Sequence, residues 1–141
     1  MEALRYLTDD EGSRLLERGE RRTYAADEAI LREGEPHEAI YIVTMGRVRV
    51  EKRTPKGVVR VDEIGVGGAF GEMSLLDGST TSMSVIANEP VDLVVLDLLS
   101  IADLLEEDPV LASNLYHSLA VMLARRLRDR TAELLARPVP S

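Results

Sequence analysis

The order in which the hydrophobic period changes along the chain limits its fold more than any other feature of the sequence. Helical spacing occurs near the two ends, whereas residues 20–97 contain short period-two segments, such as Val48 and Val50 alternating with charged neighbours. Strands that follow one another without helices between them cannot form parallel βαβ units. The sequence therefore predicts an α+β chain of antiparallel strands, with a short N-terminal helix and two C-terminal helices.

The N-terminal helix is predicted from a capping box. Thr8 and Glu11 have the spacing of an N-cap residue and its N3 partner. Gly19 follows the last residue of the helical pattern and is suited to close the helix. We therefore expect a helix over residues 8–19 and a change to strand structure directly after it.

The strands are predicted from alternation and from the turns between them. Residues 39–53 have a strand-like pattern, and Thr54–Gly57 fits a type I turn with proline at its second position and glycine at its fourth. Alternation then resumes, which predicts a β-hairpin. Two further strands are predicted at residues 83–87 and 91–97.

The C-terminal helices are predicted over residues 98–137. Ser100 has N-cap spacing for the first helix, and Asp108 precedes a proline at the first position of the second. The second helix can continue to Arg137, which gives ~27 residues and a length of ~40 Å. A domain of this size cannot cover a helix of that length.

An apolar stripe on the long helix predicts how it is covered. Leu115, Leu119 and Met122 follow one another at helical spacing. An exposed stripe of this kind is buried most simply by a second copy of the same helix. We therefore expect a homodimer through parallel packing of the long helix.

Composition and motif searches exclude several function classes. The chain has no Cys and no Trp, which excludes disulfides and thiolate metal sites and argues against aromatic platforms for single-stranded nucleic acid. A net charge of -8 is unfavourable for binding DNA. His37 and His117 have no further ligand at metal-binding spacing. Because Ser/His/Asp and phosphate-loop patterns are absent too, we expect no metal site, no catalytic residue and no enzyme activity.

Charge is unevenly distributed along the chain. Residues 110–141 carry a net charge of +3, and residues 1–109 carry -11. This difference fits either a solvated basic helix face or a helix end that contacts an acidic partner or an anionic ligand. The N-terminal residues lack the apolar stretch of a signal peptide, and no segment is long enough to span a bilayer. We therefore expect a cytoplasmic protein without membrane contact.

A glycine-dense segment over residues 65–71 is the main candidate for binding chemistry. We expect Gly68 and Gly71 to have backbone conformations or close contacts that a side chain would disturb. The segment leads into a possible helical turn at residues 72–76, where exposed N–H groups suit a phosphate, and a hydroxyl-rich run follows at residues 79–84. Residue types alone leave open a second interpretation, in which this segment is a structural β-corner with a capped turn.

Three landmarks resemble those of the cyclic nucleotide-binding domain family, the β-roll sensor of bacterial catabolite activators, protein kinase regulatory subunits and gated channels. They are Arg32–Glu35, then Tyr41–Val43 followed by Gly46–Val48, and last Gly67–Leu75. The resemblance extends from about Leu7 to about Arg137. It implies a jelly-roll-like antiparallel β-roll, also described as a double-stranded β-helix. Residues 1–141 would then form a single stand-alone domain with the roll at residues 20–97.

The resemblance also implies a binding site. Gly71 and Glu72 would contact the ribose of a cyclic nucleotide, and the backbone N–H groups of Met73 and Ser74 would lie near its phosphate. Thr81 and Ser82 would complete the site, with Thr81 where the family has a phosphate-binding arginine. Without that charge, binding is expected to be weaker by about one to two decades. The implied ligand is cyclic AMP, cyclic GMP or a related small anion, and no cofactor is implied.

Two functions from different classes remain open at this point. The first is a regulatory module that binds a cyclic nucleotide weakly and signals through its C-terminal helix. The second is a degenerate domain that serves as a dimerisation or protein-interaction scaffold. A third reading, a small cupin-type barrel, is disfavoured because metal-dependent cupins need clustered histidines. The DNA-reading module that accompanies the transcription factors of this family is not expected within this chain.

Overall fold

Two antiparallel sheets form the centre of the computed structural model, which describes residues 1–35, 39–71 and 83–136. Their strands are β1 (Glu20–Tyr24), β2 (Ala29–Leu31), β3 (Ala39–Met45), β4 (Val48–Thr54), β5 (Gly57–Ile64), β6 (Ala69–Phe70), β7 (Ser84–Ala87) and β8 (Val91–Asp97). The first sheet has the order β1-β8-β3-β6 and is called here the helix-facing sheet. The second sheet has the order β2-β7-β4-β5 and is called the hairpin sheet.

Helices flank the strands at both ends of the chain. A 3₁₀ turn at Glu2–Leu4 precedes α1 (Asp9–Arg18), and α2 (Leu98–Glu107) and α3 (Pro109–Ala136) follow β8. This arrangement confirms the predicted fold class, an α+β β-roll with a short N-terminal helix and C-terminal helices of which the last is long. The predicted hairpin is confirmed by the pairing of β4 with β5 across a two-residue connection.

Alternation along β3 and β8 divides the apolar side chains between two cores. Ile40 and Ile42 point toward the helices, and Tyr41 and Val43 point toward the hairpin sheet. The first core therefore lies between the helix-facing sheet and the helices, and the second lies between the two sheets. Since both faces of the helix-facing sheet are covered, its central strands read as nearly continuous apolar runs.

The N-cap residues of α1 and α3 are those predicted from the sequence, and the N-cap residue of α2 is not. The Thr8 capping box forms, because Glu11 N donates to Thr8 Oγ1 at 3.1 Å and Thr8 N donates to Glu11 Oε1 at 3.0 Å. Asp108 Oδ1 accepts from Leu111 N at 3.1 Å and caps α3 as predicted. The prediction for α2 is wrong in its cap. Asp97, the last residue of β8, caps α2 by accepting from Ser100 N at 2.7 Å. A carboxylate ending a strand therefore starts the helix three residues before the expected serine.

Residues 39–53 are also two strands rather than one. Gly46 has φ +81 and reverses the chain between β3 and β4. A Cβ at this position would lie 2.3 Å from the carbonyl oxygen of Pro90. The apolar run of β3 and the alternation of β4 are both typical of strands, so Gly46 was the only local signal of a turn between them.

The prediction that Leu115, Leu119 and Met122 form a dimer face is wrong. All three are fully buried in the first core of this chain, where Leu15 of α1 and the 3₁₀ turn pack against them. The N-terminal segment thus covers the first half of α3. Spacing shows that these residues share a face, but it does not show what covers that face.

Polar contacts hold the N-terminal segment on α3. Tyr6 N donates to Ser118 Oγ at 2.9 Å, and Asn114 Nδ2 donates to Glu11 Oε1 at 3.3 Å. The Tyr6 ring stacks on His117 with centroids 3.9 Å apart. His117 therefore has a packing role at this junction.

Gly46→Ala is expected to lower the free energy of unfolding by about 2–4 kcal/mol, because it adds left-handed strain to a clash with the Pro90 backbone. Gly34→Ala is the matched control, since Gly34 has φ +84 with nothing within 4 Å of its Cβ position. It should cost only about 1–2 kcal/mol. Urea unfolding of both variants measures the difference, and equal costs would show that the Pro90 contact relaxes freely.

Candidate functional site

The candidate site begins where β6 ends. β6 pairs with β3 so that Phe70 lies opposite Tyr41, and the two rings stack with centroids 5.0 Å apart and an interplanar angle of 4°. Gly71 follows with φ +85, a conformation that favours glycine. The stacked pair thus fixes β6 in the second core, directly before Gly71.

The structure confirms the expected restrictions at Gly68 and Gly71. A Cβ on Gly68 would lie 2.5 Å from Ile64 Cγ2, and Gly71 has a positive φ. Gly67 was not singled out, although it has φ +88 and its carbonyl accepts from Ala3 N at 2.8 Å. The glycine-dense segment is therefore a tight connection that joins the N-terminal turn to the start of the candidate site.

Most of the predicted binding residues cannot be placed by the geometry. Gly71 is the one member of the predicted set within the described residues. Glu72, Met73, Ser74, Thr81 and Ser82 lie outside them, as does His37. Their proximity to a ligand remains a prediction from the resemblance.

The second core supplies an apolar wall beside Gly71. Val50 of β4 and Val85 of β7 are paired and buried, and Met83 packs against the same cluster. Burial raises the pKa of the Tyr41 phenol, and the nearby Arg22 guanidinium partly opposes this effect. A wall of this kind can hold a flat apolar group, and its polar atoms lie toward its edges.

Arg22 is a cation at one edge of this wall. The sequence analysis did not predict it as part of the site. It lies on β1 opposite Leu93, a residue of the second core. Its guanidinium donates to Glu20 Oε2 at 3.0 Å, and hydrogen bonding to Glu20 raises the pKa of Arg22 above its ordinary value. The signal that could have identified Arg22 is its spacing of two residues from Tyr24, which places both side chains on the same face of a strand.

Arg126 connects the long helix to the candidate site. Its Nη2 atom donates to the carbonyl oxygen of Ala69 at 2.7 Å, two residues before Gly71. The side chain is half-buried, whereas its neighbour Arg125 is exposed and lies 3.6 Å from Glu2. The C-terminal arginines are therefore not one uniform solvated face.

The signal for Arg126 was present in the sequence. Residues 115, 119, 122 and 126 continue one helical face, and the first three of them are buried. An arginine at the end of a buried stripe needs a hydrogen-bond acceptor when it packs against the sheet. A carbonyl of the short strand β6 is that acceptor.

Two searches of the described residues found nothing further. None of the helices there combines the length and the apolar composition needed to cross a membrane. No group of three or more His, Asp or Glu side chains in this part of the chain is arranged to hold a metal ion.

Comparison with known families gives a match over more than half of the chain. The sequence profile of the cyclic nucleotide-binding domain matches residues 21–108. This range begins in β1 and ends at the junction of α2 and α3, so it includes both sheets and the segment around Gly71.

Individual proteins are similar over most of this chain but are longer. The cyclic AMP receptor protein of Thermus thermophilus is 37% identical over 116 residues, which are 82% of this chain and 52% of that protein. Glutaminase 2 of Bradyrhizobium diazoefficiens is 34% identical over 128 residues, 91% of this chain and 20% of that protein. The chain thus spans about half or less of the length of these relatives.

A solved structure agrees over nearly the whole chain. It is a cyclic nucleotide-binding domain from Methylobacillus flagellatus, which is 27% identical, with a TM-score of 0.89 over 99% of this chain and 84% of that one. The similarity therefore includes α1 and α3 as well as the strands.

Arg126→Met is expected to lower the free energy of unfolding by about 1.5–3 kcal/mol, because it removes a charged hydrogen bond to the Ala69 carbonyl and retains most of the apolar stem. Arg125→Met is the matched control, and should change it by less than about 0.5 kcal/mol because Arg125 is exposed. Denaturant unfolding of both variants tests this. Equal effects would mean that the Arg126 contact contributes no net stability.

Proposed function

The chain belongs to the cyclic nucleotide-binding domain family, and on this premise we propose that it is a regulatory module that binds a cyclic nucleotide in its β-roll. Binding is passed to α3, whose position then changes the contacts made with a partner. The hydrogen bond from Arg126 to Ala69 carries this proposal. It ties α3 to the strand that leads directly into the candidate ligand segment.

The proposed ligand contacts follow the family pattern. Glu72 accepts hydrogen bonds from the ribose beside Gly71, and the N–H groups of Met73 and Ser74 donate to the phosphate. A carboxylate suits a sugar hydroxyl because it only accepts, and backbone N–H groups suit a phosphate because they only donate. The apolar wall of the second core, which includes Val50 and Val85 as well as Phe70 directly before Gly71, suits a nucleobase.

Thr81 sets the expected affinity. The hydroxyls of Thr81 and Ser82 can donate to a phosphate, but they do not supply the positive charge of an arginine. We therefore propose weak binding. The alternative is a domain that has lost its ligand and acts as an interaction scaffold, and Thr81 is the observation that favours it.

The proposed role is regulatory and not catalytic. In the similar glutaminase, the matched region is 20% of the protein, as expected for a domain joined to a separate enzyme. The solved structure from Methylobacillus flagellatus is a cyclic nucleotide-binding domain, and the similarity covers 84% of its chain. A cytoplasmic location remains a prediction, and no DNA-reading role is proposed for these residues.

A second copy of the chain is the proposed partner of α3. The exposed residues Ala120, Ala124, Leu127 and Thr131 follow one another at spacings of four, three and four. This is the heptad spacing of a coiled-coil seam, on the side of the helix away from the first core. Leu127 is 69% exposed and Leu135 is 83% exposed, so the distal half of α3 lacks cover from its own chain.

Thr81→Arg is expected to strengthen cyclic AMP binding about tenfold or more, because it restores the charge opposite the phosphate. Isothermal titration calorimetry with cyclic AMP and cyclic GMP measures this change. Thr81→Gln is the control for size without charge, and should leave the affinity near that of the original chain. Glu72→Ala in the Thr81→Arg background should remove much of the gain.

Failure of this experiment has a definite meaning. If Thr81→Arg shows no heat of binding at millimolar nucleotide while its circular dichroism is unchanged, the ligand cavity differs by more than one residue. The interaction-scaffold reading then replaces the binding module.

Leu127→Glu is expected to weaken the dimer at least tenfold, because two carboxylates would meet in the apolar seam of the proposed coiled coil. Analytical ultracentrifugation across micromolar concentrations measures the association. Leu99→Glu is the control, since Leu99 is 77% exposed on α2, away from the seam. A chain that is monomeric at high micromolar concentration before any substitution contradicts the dimer, and an unchanged association in Leu127→Glu contradicts the seam.

A further inference from the structure

An open groove of about 680 Å³ lies on the outer face of the hairpin sheet. Val50 and Val85 form a pair that faces the second core, so the next pair, Glu51 and Ser84, points to the opposite face of the sheet. Glu51, Ser84 and Ile86 line the groove. The groove is therefore separated from the second core by the thickness of the sheet.

One wall of the groove is held in place by Glu33, in the connection after β2. Glu33 N donates to Ser84 Oγ at 3.0 Å, which ties this connection to β7. The Glu33 carboxylate accepts from Lys52 Nζ at 3.0 Å and from Arg53 N at 3.2 Å, which ties it to β4. These bonds hold the pKa of Glu33 below its usual range, with the bond from Lys52 as the largest cause.

The acidic groups of the groove are mostly neutralised. The charge of Glu33 is matched by Lys52, and Glu51 accepts from Arg49 Nε at 2.7 Å. Glu35 is the remaining carboxylate that lines the groove. It makes no salt bridge among the residues the structure describes.

Two guanidinium groups in the groove have no such partner. Arg32 and Arg53 both line it, and within residues 1–35, 39–71 and 83–136 neither side chain forms a salt bridge. The groove charges that form no salt bridge among the described residues are thus those of Arg32, Arg53 and Glu35, although Arg53 interacts with Glu33 at longer range. A planar guanidinium with free N–H groups is suited to bidentate contact with a phosphate or a carboxylate.

The floor of the groove is apolar. Ala29 and Ile86 are paired across β2 and β7, and both line the groove together with Val58 of β5. Val58 is 59% exposed and adds apolar surface to the groove. A volume of this size is within the range of small-molecule sites, which combine apolar surface with a few polar groups.

We propose that this groove is a second binding site, which takes a small organic anion with its phosphate or carboxylate between Arg32 and Arg53 and its apolar body on Ile86 and Val58. The groove and the second core lie on opposite faces of the hairpin sheet, so a nucleotide held against the second core, as in the proposed function, would leave this groove free. Its ligand class is an aryl or branched-alkyl phosphate or carboxylate.

The test compares ligands that differ only in charge or apolar body. Backbone amide shifts of the ¹⁵N-labelled full chain are followed by NMR during titration with phenyl phosphate, benzoate, inorganic phosphate and benzylamine. Phenyl phosphate and benzoate should give saturable shifts at Ser84, Ile86 and Arg53. Inorganic phosphate should bind more weakly because it lacks the apolar body, and benzylamine should not bind.

Single substitutions connect the shifts to the two arginines. Arg53→Gln and Arg32→Gln should each weaken phenyl phosphate binding about tenfold, the effect of losing one charged contact. Arg60→Gln is the matched control, since Arg60 is also exposed on β5 but does not line the groove and lies 3.4 Å from Glu63. It should leave the affinity unchanged.

Several outcomes would overturn the proposal. Binding of benzylamine as tight as that of phenyl phosphate would show that the carboxylates dominate the groove. Phenyl phosphate shifts confined to the Tyr41 and Phe70 region would mean that the anion enters the candidate nucleotide site instead. If Arg60→Gln weakened phenyl phosphate binding as much as Arg32→Gln and Arg53→Gln do, the loss of affinity would reflect the general positive charge of the surface and not contacts in the groove. Cyclic AMP titration serves as a separate arm, and its failure leaves the groove result unaffected.

Discussion

Burial of the first half of α3 against the helix-facing sheet is the interaction on which the remaining structure depends. Leu111, Leu115, Leu119 and Met122 are fully buried there, and each contributes about 1.5–3 kcal/mol relative to exposure. This packing sets the axis and rotation of the helix. It therefore decides that Arg126, one turn beyond Met122, meets the carbonyl of Ala69. It also decides that the opposite side of α3 faces away from the chain and can contact a partner.

The two faces of the hairpin sheet have different roles. The inner face of the hairpin sheet closes the second core and provides the apolar wall beside Gly71. Its outer face carries charged side chains that form ion pairs, such as Arg49 with Glu51 two residues further along β4, which keep that surface hydrated. Because strand side chains alternate, a residue cannot serve both faces, and the proposed nucleotide and anion sites can differ in composition without conflict.

The sequence predicted what depends on local pattern and missed what depends on packing partners. The capping box at Thr8, the hairpin at Thr54–Gly57 and the bounds of β8 were all predictable from short segments. The cap at Asp97 was missed because Ser100 has equally good spacing, and only the end of β8 decides between them. The apolar stripe of α3 was recognised correctly, but the residues that cover it were not, since predicting them requires knowing where the N-terminal turn lies.

For the candidate site, Gly71 was predictable from its glycine neighbours. Glu72 and Thr81 were noticeable from residue type, as a lone acid and a member of a hydroxyl-rich run, but their specific roles came from the resemblance to the family.

In the proposed function, a conformational change at Gly71 reaches α3 through a short series of contacts. β6 is a two-residue strand at the edge of the helix-facing sheet, and among the described residues it pairs with β3. A strand held on one side can shift with less loss of hydrogen bonding than a central one. The Arg126 side chain is also attached to it, and beyond Arg126 the helix continues for ten residues to Ala136, or ~15 Å. Met122 is the last buried residue among the α3 side chains that the structure describes, so little core packing from those side chains opposes reorientation of the distal part. Under the proposed function, a small displacement at Ala69 would therefore be passed to α3 and would reach the proposed seam around Leu127, where a partner would sense it.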